Sequence, residues 1–174
     1  MATAEGVSSR QREIYTTKGG ITMQVVIIED AARKRAIARE VLEDLPEWFG
    51  IPESTEEYIR ESGSMPFFAA LEGADVLGFM AMKETSPYTC EIYVTGVKKR
   101  AHRSGAGRAM FAAFEEYGRA QGYRFAQVKT VAPGHYTEYD ATVAFYRGVG
   151  FLPLEIFPTL WDENNPCLIL VKAL

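Results

Sequence analysis

Residues 98 to 110 read Lys-Lys-Arg-Ala-His-Arg-Ser-Gly-Ala-Gly-Arg-Ala-Met, a basic run that ends in Gly105 and Gly107 as a helical pattern begins. The first turn of a helix leaves backbone N–H groups unpaired, and the aligned peptide dipoles place partial positive charge there. Glycine lets a bulky anion reach those amides because no Cβ stands in the way. Lys98, Lys99, Arg100 and Arg103 add full charges on the approach. These residue types in this order suit a phosphate-bearing ligand, above all a pyrophosphate. The plainer reading is a glycine-containing strand-to-helix turn with a solvated basic loop. The loop alone does not separate the two.

Two phosphate motifs can be set aside. A P-loop needs Gly-Lys followed by Ser or Thr, and here Arg108 follows Gly107. The dinucleotide fingerprint needs a third glycine, where this chain has Met110, and an acidic residue about 20 positions on. Residues 125 to 131, Phe-Ala-Gln-Val-Lys-Thr-Val, hold no acid.

Composition narrows the function further. With 47% apolar and 24% charged residues in 174, the chain reads as one soluble globular domain. A net charge of -4 argues against a general nucleic-acid binder, so no nucleic-acid partner is expected. Cys90 and Cys167 fit no disulfide or metal framework, and His102 and His135 are the only histidines, so no metal is expected. No apolar run nears the ~20 residues of a membrane span, so no membrane partner is expected. Residues 1 to 22 lack hydrophobic periodicity and an apolar signal core. They read as a flexible extension, or as residues upstream of a start at Met23, before a single domain over 23–174. A cytoplasmic location is the expectation.

These residues need elements to position them. Gln24 to Ile28 predicts a strand, Ala32 to Leu42 a helix, and Ser54-Thr55-Glu56-Glu57 a capping box starting a helix near 55. Pro66 to Leu71 and Val76 to Lys83 predict a hairpin, and Cys90 to Val97 a strand. Along that strand Cys90, Ile92 and Val94 alternate with Glu91, Tyr93 and Thr95. After Gly105, the residues Ala106, Ala109, Met110, Ala113, Phe114 and Tyr117 form one apolar helical stripe, with Glu115 and Arg119 paired outside it. Tyr123 to Val131 is a strand. Asp140 caps a helix that Gly150 stops, and strands over Phe151–Phe157 and Pro166–Ala173 close the chain. The order β-α-α-β-β-β-α-β-α-β-β predicts an α/β, mixed α+β arrangement: a mixed sheet with helices on both faces.

The segment His102-Arg103-Ser104-Gly105-Ala106-Gly107 resembles the pyrophosphate loop of the GCN5-related N-acetyltransferase superfamily, Arg/Gln-x-x-Gly-x-Gly/Ala. His102 departs from the Arg/Gln position, with Arg103 next to it. A second segment of that family, Asn-x-x-Ala-x-x-Phe-Tyr-x-x-x-Gly-Phe, is matched by Phe145, Tyr146, Gly150 and Phe151. There Tyr139 replaces Asn and Thr142 replaces Ala. Two motifs in the right order, roughly 40 residues apart, carry the resemblance over residues 23 to 174. A third match is Glu91-Ile92, fourteen positions before Gly105, where the histone-acetyltransferase branch carries its base.

The resemblance implies the acyl-CoA N-acyltransferase fold. That is a central twisted mixed sheet of about seven strands, splayed between the strands at 90–97 and 123–131. It also implies direct transfer of an acetyl group from acetyl-CoA to a primary amine. Tyr146 would protonate the leaving thiolate. Glu91 would deprotonate the amine, or would instead be a structural partner of Lys129. An N–H at Val94 or a neighbour would receive the oxyanion. The main chain of Thr95 and Val97 would hold pantetheine. His102, Arg103, Ser104, Gly105, Ala106, Gly107 and Arg108 would hold the pyrophosphate, and Cys90 and Cys167 would be buried strand residues.

In this fold the segments Leu45–Gly50 and Pro158–Pro166 would flank the acceptor. They carry Trp48, Phe49 and Trp161 with Asp162 and Glu163, suited to a small-molecule or peptide amine. The plainer reading of the same residues is two packed lips. A non-catalytic acyl-CoA-binding domain, and a transferase using a longer acyl group or a hydroxyl acceptor, are the rivals. Oligomeric state is open, a homodimer included.

Overall fold

The structure, a computed structural model, describes residues 14–18 and 21–174. Its strands are β1 (Ile14–Lys18), β2 (Ile21–Ile27), β3 (Phe67–Glu72), β4 (Asp75–Ser86), β5 (Thr89–Val97), β6 (Phe125–Val131), β7 (Leu152–Asp162) and β8 (Asn165–Ala173). The helices are α1 (Ala31–Leu42), α2 (Pro52–Ser62), α3 (Ala106–Ala120) and α4 (Thr137–Gly148), with a 3-10 turn at Lys99–Ala101. The described strands form one sheet in the order β1-β2-β3-β4-β5-β6-β8-β7. All neighbours are antiparallel except β5 and β6.

Two apolar layers sandwich this sheet. On one face α3 and α4 bring Met110, Phe111, Phe114, Val143 and Tyr146 onto Met80, Cys90, Ile92, Ala126 and Val128. On the other, α1 and α2 bring Ile37, Ala38, Val41, Leu42 and Ile59 onto Phe67, Phe79, Ala81 and Val94. Strand β4 runs buried on both faces from Val76 to Met82, as a central strand should. Cys90 and Cys167 are free and buried in the strands.

Several sequence expectations shift in detail. Ile14–Lys18, within the stretch read as an extension, pairs with β2 because its β-branched residues suit an edge strand. The remaining residues of that extension, apart from 21 and 22, lie outside those described. The capping box at 54–57 is not used. Pro52, with its preset φ, opens α2, and Thr55 Oγ1 donates to the Ile51 carbonyl instead. Asp140 does not cap α4, which begins at Thr137, and its Oδ1 accepts from the Gly134 amide at 2.9 Å.

The strict alternation expected along β5 also fails. Pairing jumps from Ala81–Val94 to Met82–Ile92, so Tyr93 is an extra residue in a β-bulge. Ile92 therefore faces α3, whereas Val94 faces α1. The bulge matters because β5 leaves β6 at the same place. Their parallel pairing runs from Thr89–Phe125 to Ile92–Val128 and stops, leaving a wedge-shaped opening lined by residues 93–97 and 129–131.

Candidate functional site

The opening has a wall on β5, a wall on β6 and an end at the start of α3, each set by local chemistry. Along its β5 wall, the Lys98 amide bonds to the Leu77 carbonyl of β4 at 2.8 Å. Adjacent residues of an antiparallel strand turn their main-chain groups to opposite sides. Thr95 and Val97 therefore present theirs to the opening, while Val94 turns toward β4. The expected oxyanion donor is Val94 or a neighbour; Val94 itself turns away, and the neighbouring Thr95 faces inward. Its side chain is committed elsewhere, Oγ1 donating to the Phe79 carbonyl at 2.7 Å. One inward group is already used: the His102 ring nitrogen Nε2 lies 2.8 Å from the Val97 carbonyl.

At the end of the opening the chain makes a tight turn into α3. Gly105 caps the helix with φ of 96°, a left-handed conformation that glycine adopts without strain, and Arg103 precedes it at φ 62°. Ser104 Oγ accepts from the Ala106 amide at 3.2 Å. The amides of Arg103, Gly105, Gly107 and Arg108 have no acceptor among the described residues. They form a concave donor set at a helix N-terminus. Gly107 is small for a second reason: a Cβ there would lie 3.1 Å from the Phe145 ring. Arg108 Nη1 donates to the Gly148 carbonyl at 3.0 Å and ties α3 to the end of α4.

The basic run is less free than the sequence suggested. Lys98 pairs with Glu40, Lys99 with Glu47 at 2.6 Å, and Arg100 with Asp75 at 3.5 Å. Acidic residues on α1 and the loop after it neutralise the two lysines. Of the four charges before Gly105, Arg103 alone has no carboxylate partner among the described residues. It is exposed beside the free amides.

The two candidate catalytic side chains stand on opposite faces of the sheet at the point of splay. Tyr146 is buried on the α3–α4 face, edge-on to Phe151 with centroids 5.9 Å apart. The intact Phe-Tyr-x-x-x-Gly-Phe segment explains its placement. Phe145 fills the notch at Gly107, Gly150 turns the chain at φ 100°, and Phe151 packs beneath Phe111. The Tyr146 hydroxyl has no partner among the described residues, and burial pushes its pKa well above 10, so it stays a proton donor.

Glu91 lies on the other face. It is buried, and its Oε2 accepts from Gln127 Nε2 at 2.6 Å and Lys129 Nζ at 2.7 Å. The expected Lys129 pair is thus present, and Gln127, unremarked in the sequence, completes it. Oε1 carries no hydrogen bond among the described residues. Beside Glu91, Phe49, Tyr58 and Tyr93 form an edge-to-face series with centroids 6.0 and 5.5 Å apart. Burial raises the phenol pKa of Tyr58, and that of Tyr93 to about 12, with nearby carboxylates adding to both.

The three aromatic residues expected around an acceptor do not meet. Phe49 joins the Tyr58 series, whereas Trp48 turns toward α4. Trp161 sits 45% exposed near the end of β7, with no ring contact to either among the described residues. Nor is Pro158–Pro166 an open loop. β7 runs on to Asp162, whose carboxylate accepts from the Asn164 and Asn165 amides to tie a tight hairpin turn. Strand pairing skips from Phe157–Cys167 to Asp162–Asn165, so Pro158 to Trp161 bulge out.

Residues 34–151 match the model of the Acetyltransferase (GNAT) family. The chain belongs to the GNAT family. The solved structures agree on the fold. An acetyltransferase assigned to the GNAT family from Desulfovibrio desulfuricans superposes with a TM-score of 0.75 at 19% identity, covering 87% of this chain and 98% of its own. The IAA acetyltransferase of Bacillus cereus gives 0.68 at 17% identity, over 87% and 99%. A GNAT acetyltransferase of Elizabethkingia anophelis with acetyl-CoA bound gives 0.60 at 15%, over 75% and 88%. No curated protein matches the chain.

A GNAT domain is an acyltransferase domain, and the Elizabethkingia anophelis structure of this fold holds acetyl-CoA. The groups around this opening fit that donor. Free amides at the α3 start suit a pyrophosphate, and unpaired main chain on β5 suits the amides of a pantetheine arm. In addition, Thr130 Oγ1 is buried without a hydrogen-bond partner among the described residues. Its strand alternation places it with Ala126 and Val128, on the α4 face just past the last β5–β6 pair. A buried hydroxyl without a partner is costly, and a polar ligand in the opening would relieve it. No cluster among the described residues has the His, Cys, Asp and Glu content to hold a metal, and no helix among them is long and apolar enough to cross a membrane.

Proposed function

We propose that this chain is an N-acetyltransferase that moves the acetyl group of acetyl-CoA directly to a primary amine of a small molecule or peptide. One arrangement carries the reading. An unpaired phenol, Tyr146, and a buried carboxylate, Glu91, stand on opposite faces of a sheet at its opening. Unpaired amides cluster at the end of that opening. Residues 103–108 hold the pyrophosphate through main-chain donors, with Arg103 as the free charge. Thr95 and Val97 hold the pantetheine arm in the manner of an added strand, and the Thr95 amide faces the thioester carbonyl, where the oxyanion develops.

At neutral pH only about one alkylamine in a thousand is unprotonated. Glu91 takes the amine's proton through Oε1, directly or through a water, while Lys129 and Gln127 fix its orientation through Oε2. The neutral nitrogen attacks the acyl carbon, the C–N bond forms, and the C–S bond breaks. Tyr146 supplies the proton to the departing sulfur, and the proton shed by the acylated nitrogen passes through solvent to restore the phenol. No covalent acyl-enzyme intervenes, in keeping with the burial of both cysteines. The cytoplasm is the compartment this reading favours, because acetyl-CoA is its donor.

The test is a thiol-release assay with acetyl-CoA against a broad panel of amines. The reading expects at least one amine to accelerate thiol release. Tight acetyl-CoA binding with no amine-dependent release anywhere in the panel would instead make this a binding or sensing domain.

A further inference from the structure

Trp48 lies in the connection between α1 and α2 and packs against the core those helices share, yet its hydrogen-bond and ring partners on other elements lie beyond both helices. Its indole Nε1 donates to Thr142 Oγ1 at 3.3 Å. Its carbonyl accepts from the Tyr139 hydroxyl at 2.9 Å. Its ring stands edge-on to His102, at 86° with centroids 6.1 Å apart. Thr142 spends its own proton on the Glu138 carbonyl at 3.1 Å, so its oxygen is an acceptor toward the indole.

The topology gives these contacts their meaning. His102 follows β5, whereas Tyr139 and Thr142 sit on α4, which follows β6. Strands β5 and β6 part after Ile92–Val128. Trp48 thus joins the segment that follows β5 to the helix that follows β6. Its three partners are also the three positions at which this chain departs from the two family segments: His102, Tyr139 and Thr142. The departures are one feature rather than three, since each supplies a contact to a single side chain.

We propose that Trp48 is a cofactor-site residue rather than an acceptor residue: a clasp that closes over the pantetheine arm of acetyl-CoA and is latched to α4 by Tyr139 and Thr142. This inference rests on the reading that the opening holds acetyl-CoA. A ligand threading between β5 and β6 must pass the indole, so the latch has to release for entry and for exit. Weakening the latch therefore raises both rates, whereas losing a simple contact would raise only the rate of exit.

The chain has two tryptophans. Trp161→Phe removes the exposed one on β7 and leaves Trp48 as the sole reporter. In that background, stopped-flow fluorescence with free CoA should show a change of Trp48 emission on binding. Tyr139→Phe keeps the ring and removes one hydrogen bond, an interaction typically worth a factor of about 2–10. Association and dissociation rate constants should both rise by roughly that factor, and Tyr139→Phe with Thr142→Val should raise them further. Rate constants within twofold of the parent in both variants, or unchanged emission when calorimetry shows CoA bound, would overturn the clasp. If calorimetry detects no CoA binding to the parent at all, the reading of the opening fails first and the clasp with it. Tyr139→Phe is conservative enough to keep the test valid should the double variant not fold.

Discussion

Lys129 Nζ and Glu91 Oε2 meet at 2.7 Å beside the last paired rung of β5 and β6, with Glu91 7% exposed at its side chain and Lys129 32%. The two elements that part to form the opening are tied together at its apex by this pair. Removing the lysine leaves a buried carboxylate with Gln127 as its only donor among the described residues. Lys129→Met should therefore destabilise the fold by about 1–3 kcal/mol, less than a fully buried pair because Lys129 is partly solvated. Glu91→Gln, which frees a lysine able to reach water, should cost less. Thermal unfolding of both variants and of the double checks this, the double being milder than the sum.

A catalytic role for Glu91 separates from that structural one by pH. If its carboxylate removes the amine's proton, Glu91→Gln should lose activity mainly at low and neutral pH. It should then recover as the pH approaches the amine's own pKa. An equal loss at every pH would leave Glu91 as a strut between β5 and β6.

Tyr146→Phe keeps the ring that packs on Phe151 and removes only the hydroxyl. Fold and acetyl-CoA affinity should survive, while kcat falls by at least about tenfold, since positioned acid catalysis is typically worth 10²–10⁴. The pH dependence has a definite sign. The folded pKa lies above the ordinary value of 10.0 because burial disfavours the phenolate. Tyr146 therefore keeps its proton through pH 10, and no loss of rate from its ionisation should appear below that. Above pH 10 the unfolded chain releases this proton while the folded one holds it, so the stability Tyr146 contributes declines with further alkalinity. A pH–rate profile against Tyr146→Phe and an alkaline unfolding series read these two effects.

Thr130→Val replaces an unpartnered buried hydroxyl with a methyl of the same shape. Without ligand the variant should be as stable as the parent or more so, because the desolvated hydroxyl is gone. With acetyl-CoA it should bind about 2–10-fold more weakly if Oγ1 bonds the ligand. Calorimetry and thermal shift together distinguish this from simple core damage, which would lower both.

Much of this was legible in the sequence, for identifiable reasons. Period-two and helical patterns located the elements, and the Gly-x-Gly turn located the helix start, because such local preferences survive folding. The face of Val94 was not legible: the Tyr93 bulge depends on how β4 and β5 register, which no periodicity in β5 reveals. The neutralisation of Lys98 and Lys99 depends on α1 and the loop after it lying beside them, contacts 58 and 52 residues away in the chain. Thr130 did leave a signal, a polar residue on the face otherwise made by Ala126 and Val128. Trp48 left none, since its hydrogen-bond partners on α4 lie more than 90 residues distant.

Isotope-labelled acetyl-CoA offers the most direct check on the account. The protein is mixed with acetyl-labelled donor and the amine that accelerates thiol release, and the label is located by mass spectrometry. Direct transfer predicts the label on the amine nitrogen and none on the protein at any time during turnover. Label accumulating on a cysteine of the chain, or appearing only as free acetate, would contradict it.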